Sequence, residues 1–231
     1  NTAGSITSTV SANTTSGFSV VTYTGTGATA SVGHGLGALP QMIIVKRRNS
    51  TGDWAVYNRT LGANTYLVLN STAASAAISG YWQYTPSPGN PTVDWFGIIA
   101  GYDVNVSGAT YVAYCFAEVA GYSKFGSYTG NGSADGPFVY TGMRPAYVMV
   151  KRTDTTGYWC ILDNARDTYN QATANLIANL ANNENPTFGN YQDFVSNGFK
   201  LRSNDTQVNA SGGTYIYMAF ASNPFKYSLA R

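Results

Sequence analysis

Apolar and polar residues alternate in short runs along this chain, and glycine, proline, asparagine and threonine separate the runs. Segments 17–23 and 110–119 show the alternation in β-branched and aromatic residues. A period of two places successive side chains on opposite faces of a strand, so these segments are predicted to be strands. Turn residues recur roughly every 8–12 positions, which is typical of an antiparallel β-sandwich or jelly-roll. The pattern therefore predicts an all-β fold.

Two segments need a separate interpretation. Residues 28–32 follow a glycine turn at 25–27, and we expect them to pair with the strand at 17–23. In residues 167–182 apolar side chains recur at every fourth position, which fits one face of a helix. The corresponding part of the first half of the chain reads as a strand, so we expect a strand or an irregular segment there.

A hairpin pattern occurs twice, at residues 40–55 and 145–160, and the two copies align without a gap. Each copy has a proline, an apolar run, an outward-facing Lys-Arg pair, a Thr-Gly turn and a tryptophan on the return strand. This order predicts a β-hairpin, with the glycine at the turn. The copies lie 105 residues apart, and residues 110–117 match 214–221 with an offset of 104. The chain is therefore predicted to contain two tandem repeats of about 105 residues.

The repeats define the expected domain organisation. Residues 1–16 are rich in serine and threonine and are predicted to be a linker or an edge strand, 17–126 the first β-sandwich repeat and 127–231 the second. Trp54 and Trp159 begin equivalent strands, and their large apolar area favours packing in the two cores.

The composition limits the class of partner. Charged residues make up only 10% of the chain, and the net charge is +2, against roughly 25% charged residues in an average domain. The basic clusters at 46–48 and 151–152 read as solvated strand residues, so no nucleic-acid partner is predicted. Apolar runs are no longer than a strand, so no membrane insertion is predicted. The chain begins at Asn1 rather than methionine and is expected to be a piece of a longer protein.

Candidate catalytic and metal-binding residues are few. His34 is the sole histidine, lies in a glycine-rich loop and matches Val139 by spacing, so we expect it to position the loop. Cys115 and Cys160 match alanines in the other repeat, which favours two buried free thiols. A thiolate zinc site needs more ligands than these.

Carboxylates give no catalytic pair either. A glycosidase needs two carboxyl groups roughly 5–10 Å apart, and nothing in the spacing marks such a pair. Asp163 corresponds to Asn58 in the first repeat, which indicates a shared hydrogen-bonding role. No phosphate-binding Gly-Lys-Ser/Thr motif occurs. We therefore predict a non-enzymatic protein with no catalytic residue, metal or cofactor.

Aromatic side chains are the remaining candidates for binding. Tyr81, Trp82, Tyr84 and Trp95 lie in or near a loop that is dense in proline and has no counterpart in the second repeat. Exposed aromatic faces stack on the apolar faces of sugar rings, and neighbouring amides bind hydroxyls. The sequence therefore predicts a ligand-binding site at these four residues. The alternative is that the rings cover the edge of the sandwich or an oligomer interface.

The chain resembles a module of tail-associated structural proteins in tailed bacteriophages, notably marine ones. The likeness covers nearly the whole chain, and its most specific runs are 4–25, 32–37, 42–46, 194–200 and 219–227. The resemblance implies a virion protein, most often the C-terminal part of a tail fibre or spike, with a concanavalin-like β-sandwich. It also implies a homo-oligomer, commonly a trimer, assembled with other virion proteins.

Three hypotheses follow from the residues and the resemblance together. The first is a receptor-binding module on the outside of the phage particle, whose partner is a host cell-surface polysaccharide or another host receptor. The second is a purely structural virion component, such as a capsid decoration or fibre assembly protein. The third is a polysaccharide depolymerase, for which release of reducing ends would be the evidence.

Overall fold

The computed structural model describes residues 1–62, 64–77, 81–82, 91–101, 103–184 and 189–223, and its regular structure is almost entirely antiparallel β. The chain forms two compact units. The first unit comprises Asn1–Leu69 and Ser75–Glu118, and the second comprises Asn70–Ala74 and Val119–Arg231. The boundary therefore lies earlier than the predicted 126, because residues 123–129 already form a strand of the second unit.

The first unit contains nine strands within its described residues. They are β1 (Thr9–Asn13), β2 (Phe18–Thr24), β3 (Ala30–Gly33), β4 (Pro40–Arg47), β5 (Trp54–Asn58), β6 (Thr65–Val68), β7 (Ala76–Ala77), β8 (Trp95–Ile98) and β9 (Thr110–Ala117). A large sheet has the order β1-β2-β9-β4-β5-β6-β7, and a small sheet pairs β3 with β8. Because β1 pairs with β2, the edge-strand interpretation holds for this part of residues 1–16.

The second unit has eight strands and one short helix among its described residues. They are β10 (Ser123–Thr129), β11 (Phe138–Tyr140), β12 (Pro145–Arg152), β13 (Trp159–Asp163), β14 (Leu176–Ile177), β15 (Gln192–Val195), β16 (Gly198–Leu201), α1 (Thr206–Asn209) and β17 (Thr214–Ala221). The large sheet has the order β10-β17-β12-β13-β14, and the small sheet has the order β11-β16-β15.

Corresponding strands of the two units pair in the same register. Val45 lies opposite Ala113 in the first unit, and Val150 lies opposite Tyr217 in the second. The β4–β9 and β12–β17 pairs each have an irregularity just after the leading proline. The predicted hairpins at 40–55 and 145–160 are confirmed, since β4 pairs with β5 and β12 pairs with β13.

Each core lies between a large sheet and a small sheet, so each unit is an all-β sandwich. In the first unit, Ile43 and Tyr111 of the large sheet belong to the same buried cluster as Val32 and Phe96 of the small sheet. In the second, Val148 and Tyr215 cluster with Val139 and Phe199. Alternate strand residues face the core, as the period of two predicts.

Tyrosines and asparagines hold equivalent loops in both cores. The rings of Tyr23 and Tyr111 stack with centroids 5.0 Å apart, and those of Tyr128 and Tyr215 stack at 4.9 Å. Asn105 Oδ1 accepts a hydrogen bond from the Thr26 amide, at 2.8 Å. In the second unit the equivalent atom, Asn209 Oδ1, accepts a hydrogen bond from the Asn131 amide at the same distance. Part of the high tyrosine content is therefore explained by packing rather than by ligand binding.

Several local predictions are corrected by the structure. Strand β3 pairs with β8 and not with β2, whose partners are β1 and β9. Lys151 was expected to face solvent, but its side chain is fully buried. Residues 167–182 contain turns and β14 and no helix, as the corresponding part of the first half of the chain indicated. Cys115 and Cys160 are free and buried, as predicted.

Candidate functional site

Of the four predicted ligand-binding aromatics, the three that the structure describes do not form one exposed surface. Trp82 is only 1% exposed and Tyr81 8%, and both belong to the core of the first unit. The Tyr81 ring lies 4.6 Å from that of Tyr66, and Trp82 meets Tyr57 edge-on at 6.1 Å. In these positions a sugar cannot reach the faces of the two rings, so the prediction of exposed stacking is corrected for them. Tyr84 lies outside the described residues.

Trp95, the fourth predicted residue, is half-exposed on the small sheet of the first unit. It lies directly across from Gly33 in the β3–β8 pair. In the second unit the equivalent cross-strand pair is Tyr140 with Gly198. The glycine and the aromatic residue have exchanged strands. A glycine has no side chain to shield its backbone from solvent. An aromatic ring directly across from it covers that backbone and stabilises the pairing of the two strands.

The small sheet of the second unit presents aromatic rings to solvent. Phe138 is 47% exposed and Tyr140 64%, while Val139 between them is 6% exposed and faces the core. A Cβ atom on Gly198 would lie 2.9 Å from a carbon of the Phe138 ring, so the glycine leaves room for that ring. We call the outward-facing residues of this sheet the aromatic face. They are Phe138, Tyr140, Asp193, Val195 and Lys200.

Ion pairs border the aromatic face at one end. Lys200 Nζ lies 2.8 Å from Asp135 Oδ1, and Arg202 Nε lies 2.6 Å from Asp193 Oδ2. Arg202 also reaches Asp135 at 3.3 Å. The hydrogen bond and charge of Lys200 hold the pKa of the Asp135 carboxyl below its usual value. Two cations and two carboxylates thus supply hydrogen-bonding groups beside the rings, with no net charge.

This arrangement combines the two features that bind carbohydrates. Flat apolar rings meet the C–H faces of a sugar, and ordered polar groups beside them bind its hydroxyls. The sequence carries no signal for this surface, because Phe138, Val139 and Tyr140 are all apolar and only the strand pairing shows that the first and third face outward. The sequence instead favours the loop at 80–91 and the nearby Trp95, because that loop has no counterpart in the second half of the chain. Only the pairing of β11 with β16 brings Gly198 against the Phe138 ring.

His34 is fully buried and held at both ring nitrogens. Nδ1 accepts a hydrogen bond from the Leu36 amide at 3.2 Å, and Nε2 lies 3.2 Å from the Thr92 carbonyl oxygen. Both nitrogens therefore have backbone partners, which leaves neither for a metal or a general base. The predicted loop-positioning role agrees with this geometry. Its predicted counterpart is wrong, because Val139 corresponds to Val32 in the sheet pairing, and His34 corresponds to Thr141.

We expect stability to fall as the pH drops below about 6.5, the ordinary pKa of histidine. Burial lowers the pKa of His34 in the folded protein, although Thr92 and Asp94 oppose the shift. The unfolded chain then binds a proton that the folded chain excludes, so protonation favours unfolding between the two pKa values. Urea unfolding from pH 5 to 7 measures this dependence. His34→Gln should remove it, and an unchanged pH dependence in that variant would contradict the assignment.

Other reactive groups are poorly placed for chemistry. Burial raises the pKa of the Cys115 and Cys160 thiols to about 12, so neither forms a thiolate near neutral pH. Asp163 Oδ1 accepts hydrogen bonds from the Ala165 and Arg166 amides, and Asn58 accepts one from Thr60, as their shared position predicted. Across the described residues, no three histidine, cysteine or acidic side chains are grouped for a metal.

No helix among the described residues is long and apolar enough to span a membrane. In the comparison with protein families, the model of a family described as a domain of unknown function, DUF7483, matches residues 1–224. No curated protein matches the chain. No solved structure matches it either.

Proposed function

The chain belongs to the family DUF7483, a domain of unknown function, and we propose that it is a non-enzymatic module of a bacteriophage virion that binds host surface polysaccharide. The observation that carries the proposal is the aromatic face, where Phe138 and Tyr140 are 47% and 64% exposed. The module would form the C-terminal part of a tail fibre or spike. It would assemble there as a homo-oligomer, commonly a trimer, with other virion proteins.

Exposure of two adjacent large aromatic side chains favours a binding role. An isolated exposed apolar residue is ordinary, whereas a contiguous patch rimmed by polar groups marks an interaction site. Phe138 and Tyr140 stand on the same side of a three-stranded sheet, with Lys200 and Asp193 in the row beside them. Because strands hold these side chains, the rings are positioned before a ligand arrives, and little ordering entropy is lost on binding.

Polysaccharide is favoured over an acidic or basic polymer by the charges at the site. Lys200 Nζ donates to the Gly136 carbonyl as well as pairing with Asp135, each at 2.8 Å. A strongly charged ligand would have to compete with these pairs, whereas a sugar hydroxyl can add to them. The resemblance to phage tail modules supports a ligand on the host surface, because a distal virion protein meets the cell there.

Replacing Phe138 and Tyr140 with alanine, singly and together, should weaken binding to the host polysaccharide by about tenfold or more per residue, the loss expected for an anchoring aromatic. Binding of the chain to host cells and to their extracted surface polysaccharide would be measured by calorimetry, with released reducing sugar assayed in the same samples. Tyr169→Ala is the matched control, since Tyr169 is 86% exposed but lies outside the aromatic face.

The result that would overturn the assignment is unchanged polysaccharide binding in the double variant, with its fold verified by circular dichroism. Absence of any binding by the folded, native oligomer would favour the structural virion role instead. Release of reducing ends would contradict the non-enzymatic part of the proposal and favour a depolymerase.

A further inference from the structure

Both exposed rings of the aromatic face lie against a glycine. A Cβ atom on Gly198 would lie 2.9 Å from Cε2 and 3.0 Å from Cζ of Phe138. A Cβ atom on Gly142 would lie 3.5 Å from the hydroxyl oxygen and 3.7 Å from Cζ of Tyr140. Because the outer half of each ring is the part near the glycine, each ring lies along the sheet and does not stand upright from it. One side of each ring is therefore covered by backbone, and the other faces solvent.

The backbone beneath the rings requires glycine at both positions. Gly142 has a φ of +73°, a left-handed conformation that strains a residue with a side chain. At Gly198 a Cβ atom would collide with the Val139 carbonyl oxygen. The turn between β15 and β16 fixes this region, since the Asn197 carbonyl accepts hydrogen bonds from the Thr141 and Gly142 amides at 3.0 and 3.2 Å. The two rings therefore rest on ordered backbone and are positioned before a ligand binds.

The spacing of the two rings suits more than one sugar. Phe138 and Tyr140 are two residues apart on β11, which separates their Cα atoms by about 6.8 Å. The Phe138 ring lies toward Gly198, which is directly across from Tyr140, and the Tyr140 ring lies toward Gly142. Both rings are therefore displaced toward the C-terminal end of β11 and keep about this spacing. A pyranose is similar in size to one aromatic ring, so a single sugar covers one of the two rings at a time.

The two rings have different neighbours. Lys200 lies directly across from Phe138 and pairs with Asp135 at 2.8 Å, so charged groups that bind hydroxyls adjoin this ring. In the row of Tyr140 the cross-strand neighbours are Gly198 and Val195, whose side chains form no hydrogen bonds. A sugar on Phe138 is therefore held by ring stacking and by hydroxyl contacts, whereas a sugar on Tyr140 is held mainly by stacking.

The first unit has no such pair of rings at the same place in its small sheet. The counterparts of Phe138 and Tyr140 are Ser31 and Gly33. Ser31 Oγ accepts a hydrogen bond from the Ser5 amide at 2.9 Å, so this position is used within the first unit. We therefore expect one ring pair per chain.

We propose that the aromatic face binds two consecutive uncharged sugar residues of a polysaccharide chain, one stacked on Phe138 and the next on Tyr140, an inference that rests on the proposed function. The polysaccharide follows β11 across the face. Its sugars at the site are uncharged, because the cations and carboxylates beside the rings already neutralise one another. The site therefore recognises a stretch of chain, and a single sugar makes only part of its contacts.

The dependence of affinity on the length of the ligand tests this inference. The probes are the intact surface polysaccharide extracted from host cells and its fragments of one to six sugar residues, prepared by partial hydrolysis and separated by length. Titration of the full chain followed by nuclear magnetic resonance measures a Kd for each probe, including weak ones. A fragment of two residues should bind about tenfold more tightly than a single sugar, the gain expected from one further anchoring aromatic. Each residue beyond the third should add less than about threefold, because the ring pair is then fully covered.

Variants at the two rings connect the length dependence to the site. In Tyr140→Ala the ratio between the Kd of a single sugar and that of the two-residue fragment should fall from about ten to below about two, because the second sugar has lost its ring. Phe138→Ala should reduce the same ratio. Tyr169→Ala is the matched control, since Tyr169 is 86% exposed and lies outside the aromatic face, and its ratio should equal that of the wild-type chain.

The outcomes separate this inference from the proposed function. If the polysaccharide binds but a single sugar binds as tightly as the two-residue fragment, the two-sugar inference is wrong and the proposed function stands. The inference is also wrong if only fragments longer than three residues bind, or if Tyr140→Ala keeps the tenfold ratio. The wild-type length series decides the first two cases without any variant, so a poorly folded variant does not prevent the test. If the folded chain does not bind the intact polysaccharide, the proposed function fails and the inference fails with it.

Discussion

Replacing Asn209 with alanine is expected to lower the free energy of unfolding by about 3 kcal/mol, since three hydrogen bonds of a buried side chain are lost at about 0.5–1.5 kcal/mol each. Asn209 is fully buried. Its Oδ1 accepts from the Asn131 amide, and its Nδ2 donates to the Ser133 and Ser203 carbonyls, each at 2.8 Å. One side chain therefore joins three loop positions of the second unit.

Urea denaturation followed by near-ultraviolet circular dichroism measures this loss. Asn223→Ala is the control, because Asn223 is exposed and, among the described residues, its side chain donates to Ser222 alone, at 3.4 Å. Its effect should therefore stay within about 0.5 kcal/mol. Asn105→Ala tests the equivalent position of the first unit and should also lower the free energy of unfolding. An Asn209→Ala variant as stable as Asn223→Ala would show that the loops hold without this side chain.

The second large effect is expected at Lys151, where methionine should raise the free energy of unfolding at pH 7 by about 1–2 kcal/mol. Burial lowers the pKa of Lys151 to about 8, against about 10.4 for an exposed lysine, which is a cost of about 3 kcal/mol for keeping the ammonium charged in the fold. Methionine has a similar length and no charge. The lost hydrogen bond to the Arg152 carbonyl, at 2.7 Å, offsets part of the gain.

The pH dependence of the free energy of unfolding shows whether the buried charge of Lys151 is what destabilises the fold. Between pH 8 and 10 the unfolded chain holds the lysine proton and the folded chain releases it, so wild-type stability should rise with pH in this window. Lys151→Met should remove that rise. Lys46→Met is the matched control, because Lys46 is the half-buried counterpart in the first unit. If Lys151→Met lowers stability at pH 7, or keeps the rise, the buried charge is not the destabilising feature.

The strands themselves could be predicted because their signals are local. A β-branched run with a period of two, bounded by proline and glycine, reports its own conformation whatever it packs against. The predicted hairpin at 40–55 therefore appears as β4 and β5. The partner of β3 could not be predicted this way, since β8 lies more than 60 residues further along the chain. Only the packing of the two sheets brings those strands together.

The candidate site also depends on long-range packing that local sequence patterns do not report. Trp82 and Phe138 are both aromatic residues near turns, and nothing local separates a buried ring from an exposed one. In the fold Trp82 is 1% exposed and Phe138 47%, because one faces a core and the other faces outward from a small sheet. The loop at 80–91 is distinguished by its composition, whereas the exposed surface results from strand pairing.

By itself, the sequence determined the all-β class, the position of most strands, the two free cysteines and the hydrogen-bonding roles of Asn58 and Asp163. Each of these depends on residue type and near neighbours, or on the match between the two halves of the chain. The tertiary structure alone decided that Lys151 is buried, that Tyr140 is exposed and that β3 pairs with β8. Burial and strand pairing are properties of the assembled sheets, which depend on contacts between residues far apart in sequence.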